Sequence, residues 1–443
     1  MNQVDLNTVK KVHFIGIGGI GVSAIARMLA LRSLGEGGMR ITGSDQSQSL
    51  VTDELEKCGI KVSIGHRAEN VLPDTDLIIY TIAIPHDNPE RVAGEHLNIP
   101  AITYPEALGQ ISKSKTTVAV AGTHGKTTTT AMIAQIALAA KLEPTVVVGS
   151  FMLNDDGSKT NFMAGKGDLL IAEACEYRRS FLNLSPKILV ITNIDEDHLD
   201  YYKDLADIQS AFVELVQKVP ADGYLICDTS AVNLGPVIAA AKCQVIDYLP
   251  DGKAGAEEGS EGLNLMVPGA HNVSNARAAL SAARVLGVDS VAAVKALNSF
   301  RGTWRRFEFK GEFNGALVYD DYAHHPTEIK ATLTAAREKF PERRLVAVFQ
   351  PHLYSRTKLL LTDFAESLRL ADEVLVAPIY AAREAPDPTI SHEVLAQQIG
   401  ASARAPSSLP EIVAYLKQSA GATDLIITIG AGNVCEVADA LLS

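Results

Sequence analysis

Short apolar runs, separated by longer stretches of helical spacing, recur along almost the whole chain. Val12–Ile17 is a short β run, and Ile20–Leu34 after it repeats apolar positions at helical spacing. Ile41–Ser44, Lys61–Ile64, Leu77–Ile82 and Pro100–Thr103 read as further strands. A second unit starts near Lys115. Its strand Val118–Ala121 enters the loop GTHGKTTTT, a helix runs on to about Ala140, and Val146–Gly149, Leu169–Glu173, Ile188–Asn193 and Tyr224–Cys227 follow as strands. A third unit starts near Gly311, with strands at Ala316–Asp320, Leu345–Gln350, Glu373–Pro378 and Asp424–Ile429. Strands that alternate with helices predict parallel sheets covered on both faces. The expected class is α/β with three domains, 1–110, 111–310 and 311–443, the first and last Rossmann-like. A chain of 443 residues has room for three. Asp251–Gly262 is acidic, glycine-rich and without periodicity, and reads as a mobile surface loop.

Composition narrows the class. With 47% hydrophobic and 21% charged residues the chain is neither disordered nor fibrous. The net charge of −12 argues against non-specific nucleic-acid binding. The five cysteines stand far apart, with no CxxC or Cys/His metal spacing, which suits a reducing compartment. The N-terminal residues lack a signal-peptide pattern, and no apolar stretch approaches the ~20 residues of a membrane span. The expectation is a soluble, cytoplasmic protein with no membrane or nucleic-acid partner.

The strongest chemical signal is Gly122-Thr123-His124-Gly125-Lys126-Thr127-Thr128 between a strand and a helix. Glycines let backbone N–H groups approach phosphate oxygens, the helix N-terminus adds partial positive charge, and Lys126 adds a full one. A threonine after the lysine commonly ligates Mg²⁺. The central domain is therefore expected to be P-loop ATPase-like, although Val120 stands where the longer GxxxxGK[ST] form has its first glycine. A plain glycine-rich turn is the bland alternative.

A second glycine loop, Gly16-Ile17-Gly18-Gly19-Ile20-Gly21, follows the first strand, with Asp45 placed to bind a ribose. Any nucleotide diphosphate fits such a backbone, and a helix–strand packing turn is the alternative. Glu173 and Glu176, and Asp195-Glu196-Asp197-His198, lie at strand C-terminal ends where open sheets bind ligands. Their oxygens suit Mg²⁺, and His198 can join a second ion. A solvated acidic loop is the alternative for Asp195 and Glu196. Gly269-Ala270-His271-Asn272 offers side chains for an adenine edge, or merely a helix cap. Arg305-Arg306 offers a guanidinium for phosphate, or a surface pair. Asp320 or Asp321 could hold ribose hydroxyls. His324 and His325 point apart on an extended chain, which argues against joint chelation. His352 and Arg356 stand at another strand end, where Arg356 is a natural carboxylate clamp.

Taken in order, FIGIGGIGVSAIA, GSD, AIPHDNPE, GTHGKTTTT, ITNIDEDHLD, GAHNVSNARAA, RRFE, DDYAHHPTEI, FQPHLYSRT and GAGNV closely resemble the Mur ligase family, in its L-alanine-adding branch. The resemblance covers almost the whole chain. It implies an ATP-dependent ligase of peptidoglycan precursor biosynthesis that phosphorylates the carboxylate of UDP-N-acetylmuramate and joins it to L-alanine. It implies catalytic roles for Lys126, Glu173 and His198. ATP would meet Gly122 to Thr128, His271, Asn272, Arg306, and Asp320 or Asp321. The UDP-sugar would meet Gly16, Gly18, Gly19, Ile20, Gly21, Ser44, Asp45, His66 and Thr81. Thr127 with Glu173, and Glu173 with His198, would hold up to two Mg²⁺. His325, His352 and Arg356 would face the amino acid. Oligomeric state stays open between monomer and weak dimer.

The sequence departs from the family at Cys175 and Arg178, where acids are expected, at Leu353, and at Ile379–Glu384. A murein tripeptide ligase, to which Glu176-Tyr177 is slightly similar, is the rival within the family. An NAD-dependent dehydrogenase and a non-catalytic nucleotide switch are the rivals outside it.

Overall fold

The computed structural model describes residues 5, 6, 8–32, 38–153, 159–199, 201–249, 261–382 and 384–443. All but the last two residues of the expected 251–262 loop, and residues 33 and 34 of the first expected helix, lie outside that set.

Three sheets carry the chain. The first has order β3-β2-β1-β4-β5, with β1 at Lys11–Ile15, β2 at Arg40–Asp45, β3 at Lys61–Ile64, β4 at Leu77–Tyr80 and β5 at Ala101–Thr103. Every pairing in it is parallel. The second has order β12-β11-β10-β6-β9-β7-β8. Its strands are β6 (Thr116–Ala121), β7 (Thr145–Leu153), β8 (Lys159–Met163), β9 (Leu169–Glu173), β10 (Ile188–Ile191), β11 (Tyr224–Cys227) and β12 (Gln244–Asp247). The third has order β13-β14-β18-β15-β16-β17. It is built from β13 (Glu308–Phe313), β14 (Ala316–Asp321), β15 (Arg344–Phe349), β16 (Glu373–Val376), β17 (Ala403–Arg404) and β18 (Asp424–Ile429).

The apolar runs become strands because both of their faces are covered. In β15 and β18, Ala347, Phe349, Ile427 and Ile429 join one core. Their neighbours Val346, Val348 and Ile426 join another on the opposite face. Each of the valine, isoleucine and phenylalanine side chains, removed from water, contributes roughly 1.5–3 kcal/mol. That is enough to hold a strand which alternation alone would not predict.

The expected parallel sheets are corrected at two edges. β8 runs antiparallel to β7, and β13 antiparallel to β14. β13 (EFKGEF) alternates apolar with charged residues and shifts register between Phe309 and Gly311, so its sequence does not read as a buried run. Short β8, β12 and β17 were equally invisible as strands.

By its contacts the chain divides into two compact units, Met1–Leu263 with Asn275–Leu297, and Asn264–Ser274 with Asn298–Ser443. The first unit contains the first two sheets and the second the third. Among the described residues no helix is long and apolar enough to cross a membrane.

Candidate active site

In the first unit, β6 ends at Ala121 and the helix Lys126–Ala139 begins behind Gly125, its N-cap, at φ 83°. Only glycine adopts that backbone freely. An added Cβ at Gly125 would also meet Asn275 Oδ1 at 2.5 Å, and one at Gly122 would meet Thr192 Oγ1 at 2.0 Å. The loop is braced by the chain leaving β10. Asn193 Oδ1 accepts from His124 N–H at 2.9 Å, and its Nδ2 donates to His124 C=O at 3.0 Å. Thr192 Oγ1 donates to the same carbonyl at 2.5 Å. Thr123 Oγ1 accepts from the Asp195 N–H at 2.8 Å. The first turn of the following helix leaves N–H groups without intrahelical partners, directed at whatever the loop encloses.

Lys126 folds back into this loop. Its Nζ donates to the carbonyls of Gly122 at 2.6 Å and Thr123 at 2.9 Å, and to Glu176 Oε1 at 3.0 Å. Glu176 Oε2 lies 2.9 Å from the same nitrogen, off the hydrogen-bond direction. Burial works against both charges, yet the pair holds Glu176 below the usual glutamate range and Lys126 above the usual lysine range. His198 Nε2 stands 3.5 Å from Glu176 Oε1. Burial and the Glu176 charge push the Cys175 thiol up to about 12, so it is neutral and unreactive near pH 7.

Glu173 ends β9 beside this pair. Its Oε1 accepts from Thr127 Oγ1 at 3.1 Å and its Oε2 from Gly149 N–H at 2.7 Å. A Cβ at Gly149 would fall 2.8 Å from that carboxylate. Hydroxyl and carboxylate oxygens on adjoining elements are the donor set a hard divalent cation takes. His198 stands against Glu176, while Glu173 turns to Thr127 and Gly149.

The glycine loop after β1 is the other centre of this unit. Gly16 has φ 76°, and its N–H and that of Ile17 both donate to Ser44 C=O at 2.9 Å. A Cβ at Gly16 would meet the Thr81 methyl at 2.5 Å. Gly19 N–H closes the turn on Gly16 C=O at 3.2 Å. Asp45 Oδ2 accepts from Gly18 N–H at 2.8 Å, which sets the carboxylate against the loop. Ser44 Oγ is within 3.0 Å of His66 Nδ1 and donates to Glu90 at 2.5 Å. Glu90 is fully buried. Burial opposes its charge, but His13, Ser44 and Asn70 hold its carboxyl below the usual range. Ile20 C=O accepts from Asn161 Nδ2 at 2.6 Å, tying the helix Ile20–Arg32 to β8.

In the second unit Asp320 and Asp321, adjacent on β14, point to opposite faces. Asp320 is fully buried; Arg305 Nε donates to its Oδ2 at 2.7 Å and Thr428 Oγ1 to its Oδ1 at 2.6 Å. Both oxygens are engaged inside the fold. Asp321 accepts from the N–H groups of Phe307 and Ala323, both at 2.8 Å, and burial lifts its carboxyl to about 6. Arg306 lies 3.5 Å from Glu328 and over the Tyr322 ring. Asn272 Nδ2 donates to Pro268 C=O at 2.7 Å, and the His271 ring is 2.6 Å from where a Gly269 Cβ would be. His325 caps the helix Pro326–Lys339 by accepting from Thr327 N–H, while the His324 ring turns to Tyr322 and His352. His352 stacks on Tyr380 at 5.7 Å, and the half-buried Arg356 follows in the next helix, Tyr354–Leu359.

Comparison with known proteins follows the same order along the chain. Residues 11–116 match the model of the Mur ligase family catalytic domain, 120–283 that of the Mur ligase middle domain, and 305–432 that of the Mur ligase glutamate ligase domain. The chain belongs to the Mur ligase family. Among relatives, UDP-N-acetylmuramate–L-alanine ligase of Clostridium kluyveri is 42% identical over 98% of both chains. The protein of that name from Agathobacter rectalis is 43% identical over 100% of both. Among solved structures, the UDP-N-acetylmuramate-alanine ligase of Thermotoga maritima superposes with a TM-score of 0.79 at 30% identity, over 98% of each chain. A murein peptide ligase of Psychrobacter arcticus gives 0.71 at 26% identity, over the same shares. The dehydrogenase alternative is set aside, because the segment holding Gly16–Gly21 matches a Mur ligase domain.

Within this Mur ligase, sequence reading missed Glu176 as the partner of Lys126, and Thr192 and Asn193 as the brace of the loop. The signal was available in part: both segments follow strands that flank β6 in the sheet. A strand neighbouring a phosphate loop delivers its C-terminal end to that loop.

Proposed function

We propose that this Mur ligase joins L-alanine to the carboxylate of UDP-N-acetylmuramate, converting ATP to ADP and phosphate. One observation carries the reaction type: Lys126, Thr127, Glu173 and Glu176 converge within hydrogen-bond distance at the mouth of a braced phosphate loop. The whole-length relatives named above support the choice of substrates.

The chemistry follows from the site. A carboxylate oxygen of the sugar attacks the γ-phosphorus of ATP, and the bond to the leaving ADP oxygen breaks. The amine of L-alanine then attacks the acyl carbon, phosphate leaves, and the ammonium proton is lost to solvent or a base. Phosphoryl transfer asks the protein for positioning and charge neutralisation rather than covalent help. Lys126 supplies both when it exchanges the carbonyls of Gly122 and Thr123 for phosphate oxygens. Glu176 keeps its ammonium charged and aimed. The Thr127 hydroxyl and the Glu173 carboxylate form an oxygen set suited to Mg²⁺, with Glu176 and His198 as a second set. When bound, the cation would offset charge on the phosphates. Residues 1–110 serve the nucleotide sugar, 111–310 ATP, and 311–443 the amino acid, with Asp320 or Asp321 facing a ribose. Arg306, His271 and Asn272 serve ATP, and His325, His352 and Arg356 serve the amino acid. The reaction belongs to peptidoglycan precursor synthesis and takes place in the cytoplasm.

Phosphate release with ATP, Mg²⁺ and UDP-N-acetylmuramate tests this across L-alanine, glycine, L-serine and the L-Ala-γ-D-Glu-diaminopimelate tripeptide. Release that depends on L-alanine is expected. Release with the tripeptide alone transfers the protein to the murein peptide ligases, and none with any acceptor refutes the reading.

A further inference from the structure

Arg178 stands where the family resemblance calls for an acid, and the backbone there is unusual. Arg178 (φ 52°, ψ 31°) and Arg179 (φ 55°, ψ 26°) are consecutive left-handed residues inside the 3₁₀ element Tyr177–Asn183. Neither is glycine, so each carries steric strain that the surroundings must hold. The holding contacts belong to Arg179. Its guanidinium binds Asp207 at 2.7 Å and Ser210 at 3.0 Å, and also meets Glu214.

Among the described residues Arg178 takes no part in that anchor and contacts Ile82 and Tyr177 instead. Arg178 is exposed and has no carboxylate partner among the described residues. Its guanidinium lies over the Tyr177 ring at 5.5 Å, with Nη1 3.5 Å from Ile82 C=O, a length at the limit of a hydrogen bond. Strain maintained to present an arginine without a counter-ion needs an explanation beyond packing.

Its position supplies one. Ile82 follows Thr81, which covers Gly16 of the first glycine loop. On the other side, the Tyr177 ring lies 4.9 Å from His198, and the preceding Glu176 pairs with Lys126. Arg178 therefore reaches the residue after Thr81, beside the first glycine loop, and stands two positions after the Glu176 that holds Lys126 at the second. A planar guanidinium matches two oxygens of a phosphate or carboxylate.

We propose that Arg178 is a positioning residue for the nucleotide sugar, its guanidinium taking an oxyanion of that substrate, either the diphosphate or the carboxylate. The inference rests on the function proposed above. The test uses the full chain carrying Arg178→Gly or Arg178→Lys. Glycine adopts φ 52° without strain, so its melting temperature should equal or exceed that of the wild type while the guanidinium is gone. Losing a charged hydrogen bond should raise KM for UDP-N-acetylmuramate about 10- to 100-fold, with KM for ATP within about twofold. Arg178→Lys should recover part of the loss.

UDP-N-acetylglucosamine, which has the diphosphate but no lactyl carboxylate, separates the two oxyanions. If Arg178→Gly weakens its inhibition as well, the contact is to the diphosphate; if inhibition is unchanged, it is to the carboxylate. An unchanged KM for UDP-N-acetylmuramate in Arg178→Gly overturns the inference, as does a parallel rise in both KM values with a lower melting temperature. A wild type that neither binds nor turns over the nucleotide sugar removes the proposed function, and this inference with it.

Discussion

Glu176 decides how Lys126 is held. The carboxylate is buried at 3% exposure and touches the ammonium group from a position 50 residues away in sequence. That separation explains why the lysine was legible and its partner was not. GTHGKT is a local pattern with a local meaning, whereas the pairing exists only once β9 lies beside β6. Asp320 and Asp321 show the same limit. Neighbours on a strand face opposite sides, and which side is the core depends on Arg305 arriving from elsewhere. The Glu176 pair has a stability signature. Glu176→Gln leaves Lys126 without its nearly buried counter-charge. Lys126 keeps two carbonyl acceptors and some exposure, so the expected loss is about 3 kcal/mol, at the lower end for a broken buried pair. The sign with pH follows from the lowered folded value of Glu176. Its contribution is complete above the ordinary glutamate value of 4.5 and fades as pH falls through the lower, folded value. The deficit of Glu176→Gln should therefore be full near neutrality and shrink below about pH 4.5. Urea unfolding of both proteins from about pH 7 to about pH 3 measures it. A deficit that grows toward acid would mean the pair does not stabilise the fold.

At the scale of elements, the phosphate loop borrows its shape from the strand beside it. β10 ends at Ile191, and the next two residues, Thr192 and Asn193, hold the His124 peptide by both its N–H and its C=O. Asn193→Ala removes both amide contacts while leaving Lys126 in place. The expected results are a loss of about 1–2 kcal/mol in stability and a clear rise in KM for ATP, because the loop must then be ordered by its ligand. Thermal unfolding with and without ATP checks this. A normal KM for ATP would show that the loop keeps its form without the brace. Central strands were read from sequence almost to the residue, since burial on both faces leaves an unbroken apolar run: Leu169–Glu173, Tyr224–Cys227 and Asp424–Ile429 match their expected bounds. Edge strands divided: β3 (Lys61–Ile64) and β5 (Ala101–Thr103) were read from sequence, whereas β8, β12, β13 and β17 were not, because one partner and one covered face place little demand on sequence. β8 (KTNFM) illustrates this: only Asn161 and Phe162 are buried in it, and Asn161 spends its amide on the helix Ile20–Arg32.

At the scale of the whole molecule, three sheets were legible because three separate strand-and-helix series run along the chain, and the family models divide it in the same order. The two glycine loops lie on different sheets, at the ends of β1 and β6, and that separation has a measurable consequence. A ligand that binds only the folded protein stabilises it in proportion to occupancy, by about 2.7 kcal/mol at a hundredfold excess over Kd. In a chain of this size that raises Tm by a few degrees. ATP with Mg²⁺ and UDP-N-acetylmuramate should each give such a rise on the wild type. Lys126→Ala removes the cation of the second loop, so its ATP increment should vanish while the sugar increment survives. Its own starting Tm should fall, because Glu176 is left with His198 alone, 3.5 Å away. Each increment must therefore be taken against the same variant without ligand. Gly18→Val should behave in the opposite way. Its Cβ would sit 2.8 Å from Asp45 Oδ2, and its branched side chain would obstruct the first loop and leave the second untouched. The sugar increment should vanish and the ATP increment persist. If both variants lose both increments, the two loops do not bind separate ligands and the division of labour between the sheets is wrong. If Lys126→Ala keeps its ATP increment, the nucleotide binds without the loop that the motif, the brace and the Glu176 pair all single out.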